Sequence, residues 1–142
     1  MVQVAAKTRS ETNDALCSIT EAMLRKPRGR PDDELLRRAL RNWAFVIPRP
    51  DTRTAPTEVR LALDWVARAS PPLDDLLDPV VMRGVLQALR LKRDGRVAAA
   101  ETQRRKRMTL VNVVLMTRYA KYLYGRQALA NRRIEALLDE YN

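Results

Sequence analysis

Four consecutive cations, Arg104, Arg105, Lys106 and Arg107, follow Thr102 and Gln103, and three more, Lys92, Arg93 and Arg96, surround Gly95 shortly before them. If this run opens a helix, the chemistry it can do is to hold an anion. Amides at a helix start lack intrahelical partners, and with a hydroxyl, a side-chain amide and cations behind them they suit phosphate oxygens. Cations at the positive end of a helix each cost roughly 0.3 kcal/mol or more when exposed, and a bound phosphate reverses that sign. A second basic stretch, Arg25-Lys26-Pro27-Arg28-Gly29-Arg30, offers Arg28 and Arg30 as a flexible further contact. The plainer alternative for both runs is a solvated basic face.

Catalytic constellations are scarce. The 142 residues contain no histidine, which removes Ser/His and Cys/His nucleophile pairs, histidine-liganded zinc and imidazole proton shuttles. The single cysteine, Cys17, rules out an internal disulfide, fits a reducing compartment, and reads as a small semi-buried apolar residue. Asp32-Asp33 is better explained as acid at a helix start than as a general acid/base pair, and Tyr119 and Tyr122 as core residues with polar tips. Neither Tyr124 nor Tyr141 has a partner constellation. No catalytic residue, metal site or cofactor is therefore expected. Neither a signal peptide nor a membrane span is apparent, and the expected location is cytoplasmic.

The elements that must position these cations are helical. Four glycines and much Leu, Ala and Arg favour helices, eight prolines punctuate them, and no period-two alternation or fixed repeat appears. A first helix spans about Glu11 to Arg25 with Leu16, Ile19, Met23 and Leu24 on one side. A second opens at Pro31 or Asp32, carries Leu36, Leu40 and Trp43, and ends before Pro48. The third runs from Thr57 to Ala69, with Val59, Leu63 and Val66 flanked by Leu61 and Trp65, and Leu73 to Leu77 adds a short turn. Asp78-Pro79 is a start signal for the fourth, to about Lys92, with Met82, Leu86 and Leu89 inward. A long helix then runs from Thr102 to Tyr124, with Met108, Val111, Leu115, Tyr119 and Tyr122 as its inward stripe. A turn at Gly125 separates it from a last helix, Gln127 to Tyr141. The expected fold is all-α, a compact bundle of about five to six helices. Its organisation is an N-terminal helix and basic linker (1–30), a helical core (31–124) and an appended helix (125–142).

The net charge of +10 is unevenly spread. Residues 25–53 carry +5 and residues 92–121 carry +7, while the rest of the chain is near neutral or slightly acidic. Such patches suit a polyanion. A membrane surface is the weaker option, because the bulky apolar residues it needs are expected in the core.

From Asp78-Pro79 through Ala120 the sequence resembles the core-binding, DNA-binding domain of tyrosine recombinases of the phage-integrase type, particularly in actinobacteria. The likeness lies in Leu86-Gln87-Ala88-Leu89, Lys92-Arg93-Asp94-Gly95-Arg96, Ala98-Ala99-Ala100, the pattern Thr102-x-x-Arg105-Lys106-Arg107-x-x-Leu110-x-Asn112, and Tyr119-Ala120. Residues 36–45 and 63–68 extend it, so about 33–120 is covered. The resemblance implies a SAM-like helical bundle that forms one half of a clamp on double-stranded DNA, without the catalytic half that cuts. It further implies a full-length recombinase or a separate catalytic half as a partner. The expected function is a non-catalytic DNA-binding domain in a recombination setting, using Lys92, Arg93, Arg96, Thr102, Gln103, Arg104, Arg105, Lys106 and Arg107 with Arg28 and Arg30. The alternative is a helical interaction module that partners or antagonises a full-length recombinase.

Overall fold

The computed structural model describes residues 2–26, 28–92 and 94–141, with side chains for all of these except 2–4, 120–135, 137, 140 and 141. It is all-α. Five helices, α1 (Val2–Met23), α2 (Asp33–Ala39), α3 (Thr57–Ala69), α4 (Pro79–Leu89) and α5 (Ala100–Tyr141), are joined by short 3-10 turns at Thr52–Thr54 and Leu73–Leu77. No strand occurs among the described residues, where the nearest feature is an isolated antiparallel bridge between Leu91 and Val97.

Local chemistry sets the starts. The Asp32 carboxylate accepts from the Leu35 amide at 2.8 Å, and the Asp78 carboxylate accepts from the Val80 amide at 2.8 Å with Pro79 at the first helical position. α2 widens into a π turn over Leu40–Ala44, where the Phe45 amide donates to the Leu40 carbonyl at 3.0 Å. α1 begins nine residues earlier than the periodicity predicts, at Val2 rather than Glu11, since nothing in that stretch breaks a helix.

Three buried clusters make the core. Cys17, Leu36, Leu40, Trp65 and Ala69 join α1 to α2 and α3. Ile19, Leu76, Val85, Leu89 and Leu110 join α1 to α4 and α5, with Val113 and Val114 of α5 packed alongside. Ala39, Ala55, Val59 and Ala62 close α2 on α3. α1 is thus a shared wedge between the clusters. Its end is tied down by the Arg25 amide donating to the Ala69 carbonyl at 2.9 Å, and the Trp65 indole N–H donates to the Arg28 carbonyl at 3.2 Å.

Two expectations about α5 are corrected. The chain does not turn at Gly125: α5 is one helix of 42 residues, roughly 63 Å long at 1.5 Å per residue. A helical glycine costs only about 1 kcal/mol relative to alanine, and the last proline is Pro79, so nothing there is strong enough to stop the helix. The inward stripe is also different. Met108 (55% exposed), Val111 (48%), Leu115 (57%) and Tyr119 (58%) face solvent, and Tyr122 lies outside the described side chains. The core face is Leu110, Val113 and Val114, one residue out of register with the expected stripe, because the 110–116 run supplies apolar residues all round the helix. In α3 the buried face is Val59, Ala62, Trp65 and Ala69, with Leu61 exposed.

Trp65, 1% exposed, should therefore dominate the first cluster. Trp65→Ala is expected to cost ~3–5 kcal/mol in denaturant unfolding. Leu61→Ala, on the solvent side of the same helix, should stay within about 0.5 kcal/mol.

Candidate nucleic-acid interface

α4 and α5 are connected by a hairpin whose geometry is fixed by backbone bonds. The Lys92 amide donates to the Arg96 carbonyl at 2.7 Å, the Gly95 amide to the Lys92 carbonyl at 3.0 Å, and the Ala98 amide to the Arg90 carbonyl at 2.9 Å. Gly95 sits at φ +83°, in the left-handed region that bulged hairpin loops need and that residues with a Cβ adopt only under strain. Buried Ala98 anchors the return strand, and the Gln103 side-chain amide donates to the Ala98 carbonyl at 2.8 Å, locking the hairpin onto the first turn of α5. Gln103 thus acts as a latch through one amide N–H.

The cations fall into two sets. Four consecutive residues of a helix span roughly 300°, so Arg104 to Arg107 cannot share one face. Arg107 is exposed and has no acidic partner among the described residues, and Lys92 and Arg96 are exposed on the hairpin, Arg96 within 3.5 Å of the Asp94 carboxylate. Arg104 is exposed and held by two bonds to Glu101, at 3.0 and 3.2 Å, which keep the Glu101 carboxyl below its usual range and push the guanidinium up. Arg93 lies outside the described residues.

Arg105 and Lys106 turn toward the bundle. Arg105 forms an ion pair with Glu11 of α1 and donates to the half-buried Thr102 hydroxyl at 3.4 Å, and its Nε is buried with no partner among the described residues. Lys106, one turn before buried Leu110, is half-buried. Loss of solvent, then the Arg37 charge, lower its pKa, while Asp14 and Glu21 act in the opposite direction. Both therefore belong to a charged seam in which α1 supplies the acids. Asp14 meets Arg37 at 3.4 Å and Arg41 at 2.9 Å, and Glu21 meets Arg37 at 3.4 Å. Arg37 is the most enclosed cation there, its side chain 14% exposed.

The linker cations are likewise partly engaged. Arg30 stacks over Trp65, 5.9 Å from the ring centroid, and pairs with Asp33 at 3.0 Å. Arg28 is exposed, with its carbonyl holding the tryptophan. The linker is thus distinct from the hairpin in its anchoring: it is stapled to α3. Two cations absent from the expected set, Arg83 on α4 and Arg90 at its C-terminal cap, are exposed seven residues apart, hence on one side and leading into the hairpin. That spacing was present in the sequence.

Burial pushes the Cys17 thiol up to about 11, so it is protonated at neutral pH. Among the described residues no group of three or more His, Cys, Asp or Glu could hold a metal, and no helix is long and apolar enough to cross a membrane.

The seam and the free set respond differently to mutation. Arg37→Ala, which leaves Glu21 without its arginine and Asp14 with Arg41 alone, should cost about 1–2 kcal/mol, whereas Arg107→Ala should stay within about 0.5 kcal/mol, both read by urea denaturation. Lys106→Met should raise stability by a few tenths of a kcal/mol, about as much as solvent screening leaves of a small effect. The sign follows from its lowered pKa: folding disfavours the protonated form, so the penalty is full at neutral pH and fades as pH rises through the folded pKa toward 10.5. Above pH 10.5 the wild type and Lys106→Met should converge.

With this geometry in place, the resemblance of residues 33–120 to the integrase core-binding domain rests on its motifs alone: no family model, no curated protein and no solved structure matches the chain.

Proposed function

We propose that the protein is a non-catalytic domain that grips duplex DNA through the end of α4, the hairpin and the start of α5. The observation that carries this is a set of exposed cations, Arg83, Arg90, Lys92, Arg96, Arg104 and Arg107, on a segment fixed by backbone hydrogen bonds. These six share the segment with two exposed acids, Asp94 and Glu101, so the surface displays a surplus of +4 among the described residues. Such a surface attracts a polyanion by releasing its condensed counterions, with little dependence on base sequence. The likeness to the recombinase core-binding domain supports DNA as that polyanion, in the cytoplasm and beside a recombinase or its catalytic half. The cations dominate this surface, so the contact is phosphate-led. The solvent-facing apolar stripe of α5 favours a second reading, a helical protein-interaction module.

Fluorescence anisotropy with a labelled duplex at several salt concentrations tests the DNA reading. With ~4–6 phosphates neutralised, log K should fall against log salt with a slope of about −4 to −5. Arg90→Ala and Arg107→Ala should each weaken binding across sequences and reduce the slope by about one, with helicity unchanged. Absence of duplex binding at low salt, or binding indifferent to salt, would overturn the proposal.

A further inference from the structure

A cavity of about 450 Å³ lies between α3 and the segment that leads into it, on elements the nucleic-acid reading does not use. Its floor is apolar. Ala44, Leu63 and Val66 are half-buried and continuous with the core clusters beneath, and Ala67 completes it. Arg49, Arg53 and Arg60 form the rim with Thr52 and Asp64. A mostly apolar surface with a few placed polar groups, at this volume, is the make-up of a small-molecule site. The wall opposite α3 is held by its own bonds. The Asp51 carboxylate accepts from the Arg53 amide at 3.0 Å and from the Arg53 Nε at 3.1 Å, and the Thr54 hydroxyl donates to the Asp51 carbonyl at 2.7 Å. Buried Ala55 then pins this turn to α2 and α3.

The charges around the cavity set the class of ligand. Arg53 is paired with Asp51, and Asp64 offsets one more of the three guanidinium groups, which leaves a surplus of one positive charge. The other charges of α3, Glu58 and Arg68, do not line the cavity, and Glu58 pairs with Arg38. Arg49 and Arg60 have no acidic partner among the described residues, Arg60 reaching only the Thr57 hydroxyl at 3.4 Å. Two guanidinium forks beside an apolar floor suit a carboxylate carried on a flat or branched apolar body. The carboxylate oxygens accept from the forks and from the Thr52 hydroxyl, and the body covers Leu63 and Val66. A phosphate monoester, with nearly two negative charges, exceeds the surplus and is repelled by Asp64.

We propose that this cavity binds a small organic monoanion, a carboxylate on a compact apolar body, with Arg49 and Arg60 holding the carboxylate. The proposal is independent of the nucleic-acid reading and is tested without DNA. Naphthoate is the probe, titrated into the isotope-labelled full chain and followed by two-dimensional NMR. Saturable amide shifts are expected at Ala44, Arg53, Leu63 and Ala67, with a dissociation constant of about 1 mM or tighter. Naphthamide, the neutral counterpart, should bind about fivefold more weakly, and acetate, which lacks the apolar body, should not saturate. Arg49→Ala and Arg60→Ala should each weaken naphthoate about fivefold, and both positions are exposed, so the fold is kept. Asp64→Asn should act in the opposite direction and tighten it about threefold. Arg107→Ala, on the nucleic-acid face, should leave it unchanged. Absence of saturable shifts at these amides, equal binding of naphthoate and naphthamide, tighter binding of naphthyl phosphate, or shifts centred on the hairpin cations overturns the proposal.

Discussion

The arrangement depends on one helix being buried from two directions. Cys17 and Ile19 are two residues apart, so they project roughly 200° apart around α1, one into the cluster with Trp65 and the other into the cluster with Leu110. Take α1 away and α2 with α3, and α4 with α5, lose the surface they share. Between those apolar contacts runs its acidic side, Glu11, Asp14 and Glu21, the only acids of α1, each meeting an arginine from α2 or α5. Apolar burial holds the two halves and the ion pairs fix their register, since half-buried charges tolerate few alternative partners.

That seam changes the meaning of the net charge. Read along the chain, residues 25–53 and 92–121 are two basic patches of +5 and +7. In three dimensions Arg37 and Arg41 are matched by α1, Arg38 pairs with Glu58 at 2.6 Å, and Arg30 is committed to Trp65 and Asp33. The first patch is largely internal counter-charge. The second divides at Arg105 and Lys106, which point inward, leaving the hairpin and the outer side of the α5 start facing solvent.

Much of this was legible in the residues, for identifiable reasons. Asp78-Pro79 and Thr57 to Ala69 are helices where caps and prolines put them, because those signals are local. The face of a helix is less local: in α5, apolar residues surround the 110–116 run, and only the position of α1 decides that Leu110 and Val113 turn in while Met108 and Leu115 turn out. Gly125 misled for a related reason, as a glycine marks a turn only where its neighbours do not already favour a helix. The inward turn of Lys106 could have been seen from its place one turn before Leu110. The pairing of Arg105 with Glu11 could not, since it joins residues 94 positions apart through the fold.

The protein that emerges is a helical bundle that neutralises its own charge along one seam and displays the remainder on a fixed hairpin. The central claim is that this remainder, and not the total, meets DNA. Its most direct test is a two-dimensional NMR titration of the labelled protein with a short duplex. The account predicts the largest amide shifts at Arg90, Lys92, Gly95, Arg96 and Arg107, with Asp14, Glu21 and Arg37 nearly unmoved. Shifts centred on the α1 seam, or none at low salt, would contradict it.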